Sequence, residues 1–121
     1  LRDLGGESHA LSAGGAGIWV ARGARLLLGR SDDLNLNGGV AVDHVISGFS
    51  LGNVADELFL ERPCGELSDA VLYSSAGSWP VGPGMAASLS PSVVVAGDAD
   101  EASAWCGVPW GTPGVMNAEC P

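Results

Sequence analysis

The segment Asp33-Leu34-Asn35-Leu36-Asn37-Gly38 is the stretch best suited to chemistry, because it reads D-x-N-x-N-G, the opening half of a calcium loop. In such a loop the oxygens of Asp33, Asn35 and Asn37 converge on one hard cation, and glycine at the sixth place permits the sharp turn. The second half departs from the pattern: His44 stands where a bidentate Glu belongs, and Ala41 stands at the ninth place. The competing reading is a polar hairpin turn on Asn37-Gly38 with leucines at its base. Calcium is the one cofactor the residues suggest, and otherwise none is expected.

Nucleophilic catalysis finds less support. Ser8, His9, Asp43 and His44 supply the residue types of a hydrolase triad, in which a base and an orienting carboxylate activate a serine. Gly6-Glu7-Ser8-His9-Ala10 is not G-x-S-x-G, however, and joins no strand to a helix. Gly15-Ala16-Gly17 opens a partial G-x-G-x-x-G, but Val20 replaces the third glycine and a strand is expected where a phosphate-binding helix should begin. The carboxylate pairs Asp32/Asp33 and Asp98/Asp100 suggest acid/base pairs, but they fall in polar stretches that solvated loops explain better. The chain is expected not to be an enzyme.

Aromatic and sulfur chemistry remain. Trp19 lies in an apolar run and is expected in the core, whereas Trp79, Trp105 and Trp110 lie near turns or the C-terminus. Partly exposed indoles stack on sugars or anchor a protein partner, which makes Trp79 and Trp110 candidate ligand contacts; alternatively they cap the open end of the fold. The three cysteines show no C-x-x-C spacing, and only two histidines could assist them, so a structural zinc site is not expected. Cys106 and Cys120 bracket a Gly/Pro-rich stretch that a disulfide would pin, worth about 3 kcal/mol for a loop of about 15 residues. The alternative is three buried free thiols. With the disulfide, Cys64 is left over.

The elements that must position these residues are strands. Apolar residues alternate in short runs at Gly17 to Ala21, Arg25 to Gly29, Val40 to Ile46, Glu57 to Glu61, Leu67 to Ser74, Met85 to Leu89 and Ala104 to Cys106, with no sustained helical stripe. Gly23, Asn37-Gly38-Gly39, Pro63 with Gly65, and Pro80 to Gly84 fall where the runs stop. Only Asp98 to Ser103 suits a helical turn. About seven short strands separated by turns predict an all-β, two-sheet sandwich in a single domain over 1–121, with 107–121 a Gly/Pro-rich C-terminal tail.

Composition narrows the partners. With 46% hydrophobic and 16% charged residues the chain is built to fold, not to remain disordered. Its five arginines against 14 carboxylates, net −9, offer little to a phosphate backbone or an anionic membrane surface, so no nucleic acid is expected. Arg22 and Arg25 interrupt the most hydrophobic stretch, Gly17 to Gly29, and no run approaches the roughly 18 apolar residues of a membrane span. No membrane insertion is expected.

Four segments, in order, resemble the lamin tail domain, an immunoglobulin-like module that also occurs in bacterial exported proteins. Val20 to Arg30, VARGARLLLGR, is similar to that family's strand, glycine turn and strand. Asn37 to Leu60 carries a Gly-rich turn, a Leu-Gly-Asn segment and an Asp-Glu-apolar strand. Asp69 to Tyr73, DAVLY, precedes Trp79-Pro80, and GTPGVMN within Trp105 to Asn117 is similar to the closing Thr-Pro-Gly-x-x-Asn signature. Arg22 stands where the family often has proline, and the family's opening hairpin has no counterpart. The resemblance implies an immunoglobulin-like β-sandwich incomplete at its N-terminus, with an open sheet edge suited to self-association. It further implies a non-catalytic binding or structural module of a larger exported bacterial protein, at the cell surface or outside the cell, serving adhesion, anchoring or domain spacing with an unidentified protein or glycan partner. The other function considered is a carbohydrate-binding module using exposed Trp, assisted by calcium.

Overall fold

The fold is organised around one hairpin. In the computed structural model, which describes residues 1–93 and 95–121, β5 (Ala55–Glu61) and β6 (Leu67–Ser74) run antiparallel, joined by a turn in which Gly65 takes a positive φ of 84°. Gly65 N–H donates to Arg62 O at 2.8 Å, closing the turn. The register places Asp56 opposite Tyr73, Leu58 opposite Val71 and Leu60 opposite Asp69, so these six side chains share one face. Phe59 lies on the other face, where the Arg2 guanidinium sits 4.2 Å from its ring centroid and donates to Glu61 at 2.6 Å.

Arg2 also occupies the outer edge of β5. Its N–H donates to Phe59 O at 3.1 Å and its carbonyl accepts from Phe59 N–H at 2.9 Å, while Ser8 returns against Arg2. Because Phe59 spends both backbone groups on Arg2, its partner Ala70 turns its own toward the far side of β6. Both outer edges thus keep open positions: Arg2 covers β5 only at Phe59, and no backbone bond from another segment reaches Glu57, Ala70 or Leu72 among the described residues.

The second well-formed sheet pairs β7 (Ala86–Leu89) with β8 (Trp105–Val108), antiparallel, with Ser88 opposite Cys106. Between them the chain makes 3-10 turns at Ala96–Asp100 and Ala102–Ala104, overlapping the helical turn expected at Asp98 to Ser103. The C-terminal tail is fastened here. A disulfide joins Cys106 to Cys120 with Cα atoms 5.6 Å apart, Asn117 Nδ2 donates to Leu89 O at 2.8 Å, and Ser90 Oγ donates to Glu119 at 2.5 Å. Cys64 is free and exposed.

The first third of the chain forms far less strand than its pattern predicts. β1 (Ser12–Ala13) pairs with β2 (Ala16–Gly17), and β3 (Leu28–Gly29) runs parallel to β4 (His44–Val45), each only two residues long. Apolar alternation requires only that one face be sheltered, and here the shelter is a groove instead of a continuous ladder. Trp19, expected in the core, is 84% exposed. The described residues are thus mostly strand and coil with little helix, as an all-β reading requires, and form four two-stranded sheets.

Only Phe49 and Ala99 are buried hydrophobic residues among those described. The accessible surface is 7970 Å², whereas a compact monomer of 12.1 kDa exposes about 6,000 Å². Two apolar hollows open on the shared face of β5 and β6.

Candidate binding cleft

One hollow is aromatic. Tyr73 on β6, Trp79 after it and Trp105 at the start of β8 form a ladder, with ring centroids 6.4 Å and then 5.6 Å apart and planes tilted by 55° and 47°. They line a cleft of about 310 Å³ with Leu51, Leu58, Val71, Val81 and Met85. The volume is at the lower end of the range usual for ligand sites.

Each wall is fixed by local structure. Tyr73 Oη–H donates to Gly52 O at 2.6 Å, and Gly52 N–H donates in turn to Asp56 Oδ2 at 2.6 Å. Glycine is required at position 52, because a Cβ there would sit 2.6 Å from Ala55 O. Trp79 arrives through a 3-10 turn, Ser75–Gly77, capped by Ser74 Oγ accepting from Ala76 N–H at 3.3 Å. Ser78 then takes the left-handed conformation, φ 66°, the one positive-φ non-glycine residue among those described. Such a conformation is disfavoured for serine and is held by its surroundings. Trp105 is oriented by its indole N–H, which donates to Ala99 O at 2.7 Å.

The electrostatics of the cleft are acidic at one end. Burial raises the Tyr73 pKa above its ordinary value of 10.0, and the carboxylates of Asp56 and Glu57 raise it further. Tyr73 therefore stays a neutral donor, and the mouth beside it carries negative charge.

The second hollow, about 470 Å³, is aliphatic. Leu11, Ile18, Val20, Leu26 and Leu28 face Leu58, Leu60 and Val71 across it, so Leu58 and Val71 serve both hollows.

The structure brings only some of the sequence candidates together. Trp79 lies in the aromatic cleft, whereas Trp110 is 85% exposed and lines neither hollow. In the Asp33 turn the side-chain oxygens face their own backbone: Asp33 Oδ1 accepts from Asn35 N–H at 2.9 Å, and Asn37 Oδ1 accepts from Val40 N–H at 3.1 Å. Asn37 Nδ2 donates to Val40 O and Ser31 O. No group of three or more His, Cys, Asp or Glu residues among those described is arranged to hold a metal ion. Of the triad candidates, Asp43 Oδ2 accepts from Leu27 N–H at 2.7 Å, while His9 meets His44 instead of Ser8. Sequence reasoning missed Tyr73 and Trp105 as cleft residues; the available signal was the register of β6, which puts Tyr73 on the face of Val71 and Leu58.

Comparison with protein-family models, with curated proteins and with solved structures returned no match to this chain.

Proposed function

We propose that the chain is a non-catalytic binding module of a larger exported bacterial protein, lamin-tail-like in its sandwich, and that the Tyr73-Trp79-Trp105 cleft receives an apolar segment of a protein partner. The observation that carries this reading is an open cleft with mostly apolar walls, in which the Tyr73 hydroxyl and the Trp105 indole N–H are already engaged. Tyr73 Oη–H and the Trp105 N–H donate within the chain, so neither donor is free for a sugar hydroxyl. Trp79 and Trp105 are tilted by 47° and do not form one flat stacking platform. A glycan needs both features, whereas an apolar segment needs only the walls.

Charge completes the description of the partner. Asp56 lies opposite Tyr73 on the shared face, and the chain as a whole is net −9. The favoured occupant is an extended apolar stretch flanked by Lys or Arg, guided by complementary charge and held by the rings. The Cys106–Cys120 disulfide supports the exported setting, because such bonds persist in oxidising compartments. No helix among the described residues is long and apolar enough to cross a membrane.

Peptide and glycan arrays probed side by side test the proposal. Capture of apolar peptides with basic flanks, lost on Trp79→Ala and kept on Trp110→Ala, is expected. Glycan capture lost on Trp110→Ala would establish the carbohydrate-binding alternative, and self-pairing through the β6 edge would show as a doubled mass in light scattering without peptide.

A further inference from the structure

His9 and His44, 35 residues apart, meet end to end: their Nε2 atoms lie 3.0 Å apart and their ring centroids 5.2 Å apart. Both rings are half-buried at a surface. Backbone bonds fix both residues, since His9 N–H donates to Leu1 O at 2.9 Å and His44 sits in β4 opposite Leu28.

The other nitrogen of His9 makes the pair more than a chance contact. Nδ1 lies 3.2 Å from Ser47 N and 3.2 Å from Ser47 O, so one residue's backbone can serve either tautomer. When Ser47 N–H donates to Nδ1, the His9 proton sits on Nε2 and bridges to His44. When Nδ1–H donates to Ser47 O, Nε2 presents a lone pair. Exchanging one state for the other therefore leaves no ring nitrogen of His9 without a partner, and the second state is the orientation that metal-bound imidazoles adopt.

We propose that His9 and His44 form a two-imidazole site for a divalent first-row transition ion. The ion takes the place of the proton shared between the two Nε2 atoms; through exchange with solvent His9 carries its proton on Nδ1 instead, donating to Ser47 O, so both imidazoles stay neutral and no net proton is released. With metal–nitrogen bonds of about 2.0–2.1 Å, nitrogens 3.0 Å apart subtend about 90° at a common ion, the angle between neighbouring ligands in tetragonal and octahedral coordination. The rings reach that point by turning from their end-to-end arrangement, and water completes the coordination. Imidazole nitrogen and this angle favour copper(II) over zinc(II). The site is separate from the aromatic cleft and independent of what the cleft binds.

Titration of copper(II) and zinc(II) chloride into a Cys64→Ser chain, which removes the free thiol, tests the site. One ion per chain is expected, copper the tighter, with affinity falling at least tenfold in His9→Ala and in His44→Ala and unchanged in Asp43→Asn. Electron paramagnetic resonance of the copper-loaded Cys64→Ser chain, with both histidines intact, should show two equivalent nitrogen couplings, a readout that does not depend on the histidine variants folding. Affinity unchanged in both histidine variants, or a spectrum with oxygen ligands alone, would overturn the proposal.

Discussion

The aromatic cleft and the aliphatic groove rest on the same two residues, Leu58 and Val71, yet their opposite walls are built differently. Around the cleft each ring is tied to backbone: Tyr73 to Gly52, Trp105 to Ala99, and Trp79 through the capped turn after Ser74. Behind it, β8 is fastened to the C-terminal tail by a disulfide. The groove's far wall comes from segments whose strands are two residues long: Leu28 is held by the short β3–β4 pairing, whereas Ile18, Val20 and Leu26 lie outside any strand. A pre-organised wall loses little entropy when a partner arrives, whereas a loose one must be ordered at that moment. Two hollows of similar chemistry on one hairpin thus differ in readiness to bind.

The largest expected effect separates them at the disulfide. Cys106→Ser should cost about 3 kcal/mol of stability by thermal or urea unfolding. Hydrogen exchange should quicken along β7 and β8 and stay nearly unchanged at Leu26 and Leu28. Equal loss of protection on both sides would show that the two walls are one unit.

Tyr73→Phe comes next. It removes the bond to Gly52 O and should cost about 1 kcal/mol while freeing the Leu51-Gly52 loop. The same residue gives a pH test, because it is the chain's single tyrosine. Its folded pKa is raised above 10.0, so the folded state holds the phenolic proton more tightly than the unfolded state. The stabilisation is fully present below pH 10.0 and is lost as pH rises through the folded value. Phenolate absorbance should appear at higher pH in the native chain than in urea, and coincident curves would contradict the burial.

Leu26→Ala, in the groove, should have the smallest effect, about 1 kcal/mol or less, well below the 2–5 kcal/mol of a closed core. A cost in the closed-core range would mean that the groove is a core wall and not an open surface.

How much of this was legible in the sequence divides along the same line. The alternation over Leu67 to Ser74 and the Pro63/Gly65 turn located β6 residue for residue and β5 within two residues, because a hairpin is specified by its own turn and pattern. The runs around Trp19, Leu27 and Val42 carry the same alternation but pair over only two residues at a time, and nothing local distinguishes the cases. Trp79 was expected beside a turn with part of its indole free, and the structure places it after the Ser75–Gly77 turn in the lining of the cleft. Its union with Tyr73 and Trp105 depends on bringing the start of β8 against Trp79, a non-local contact with no sequence signature. The meeting of His9 and His44 is hidden for the same reason.

Binding of an apolar peptide with basic flanks, measured by tryptophan fluorescence against Trp79→Ala, Trp110→Ala and Leu26→Ala chains of verified fold, tests the central claim most directly. The cleft account predicts at least a tenfold weaker Kd for Trp79→Ala, about 1.4 kcal/mol, with the other two unchanged within about twofold. A loss of affinity in Trp110→Ala or Leu26→Ala matching that in Trp79→Ala would contradict it.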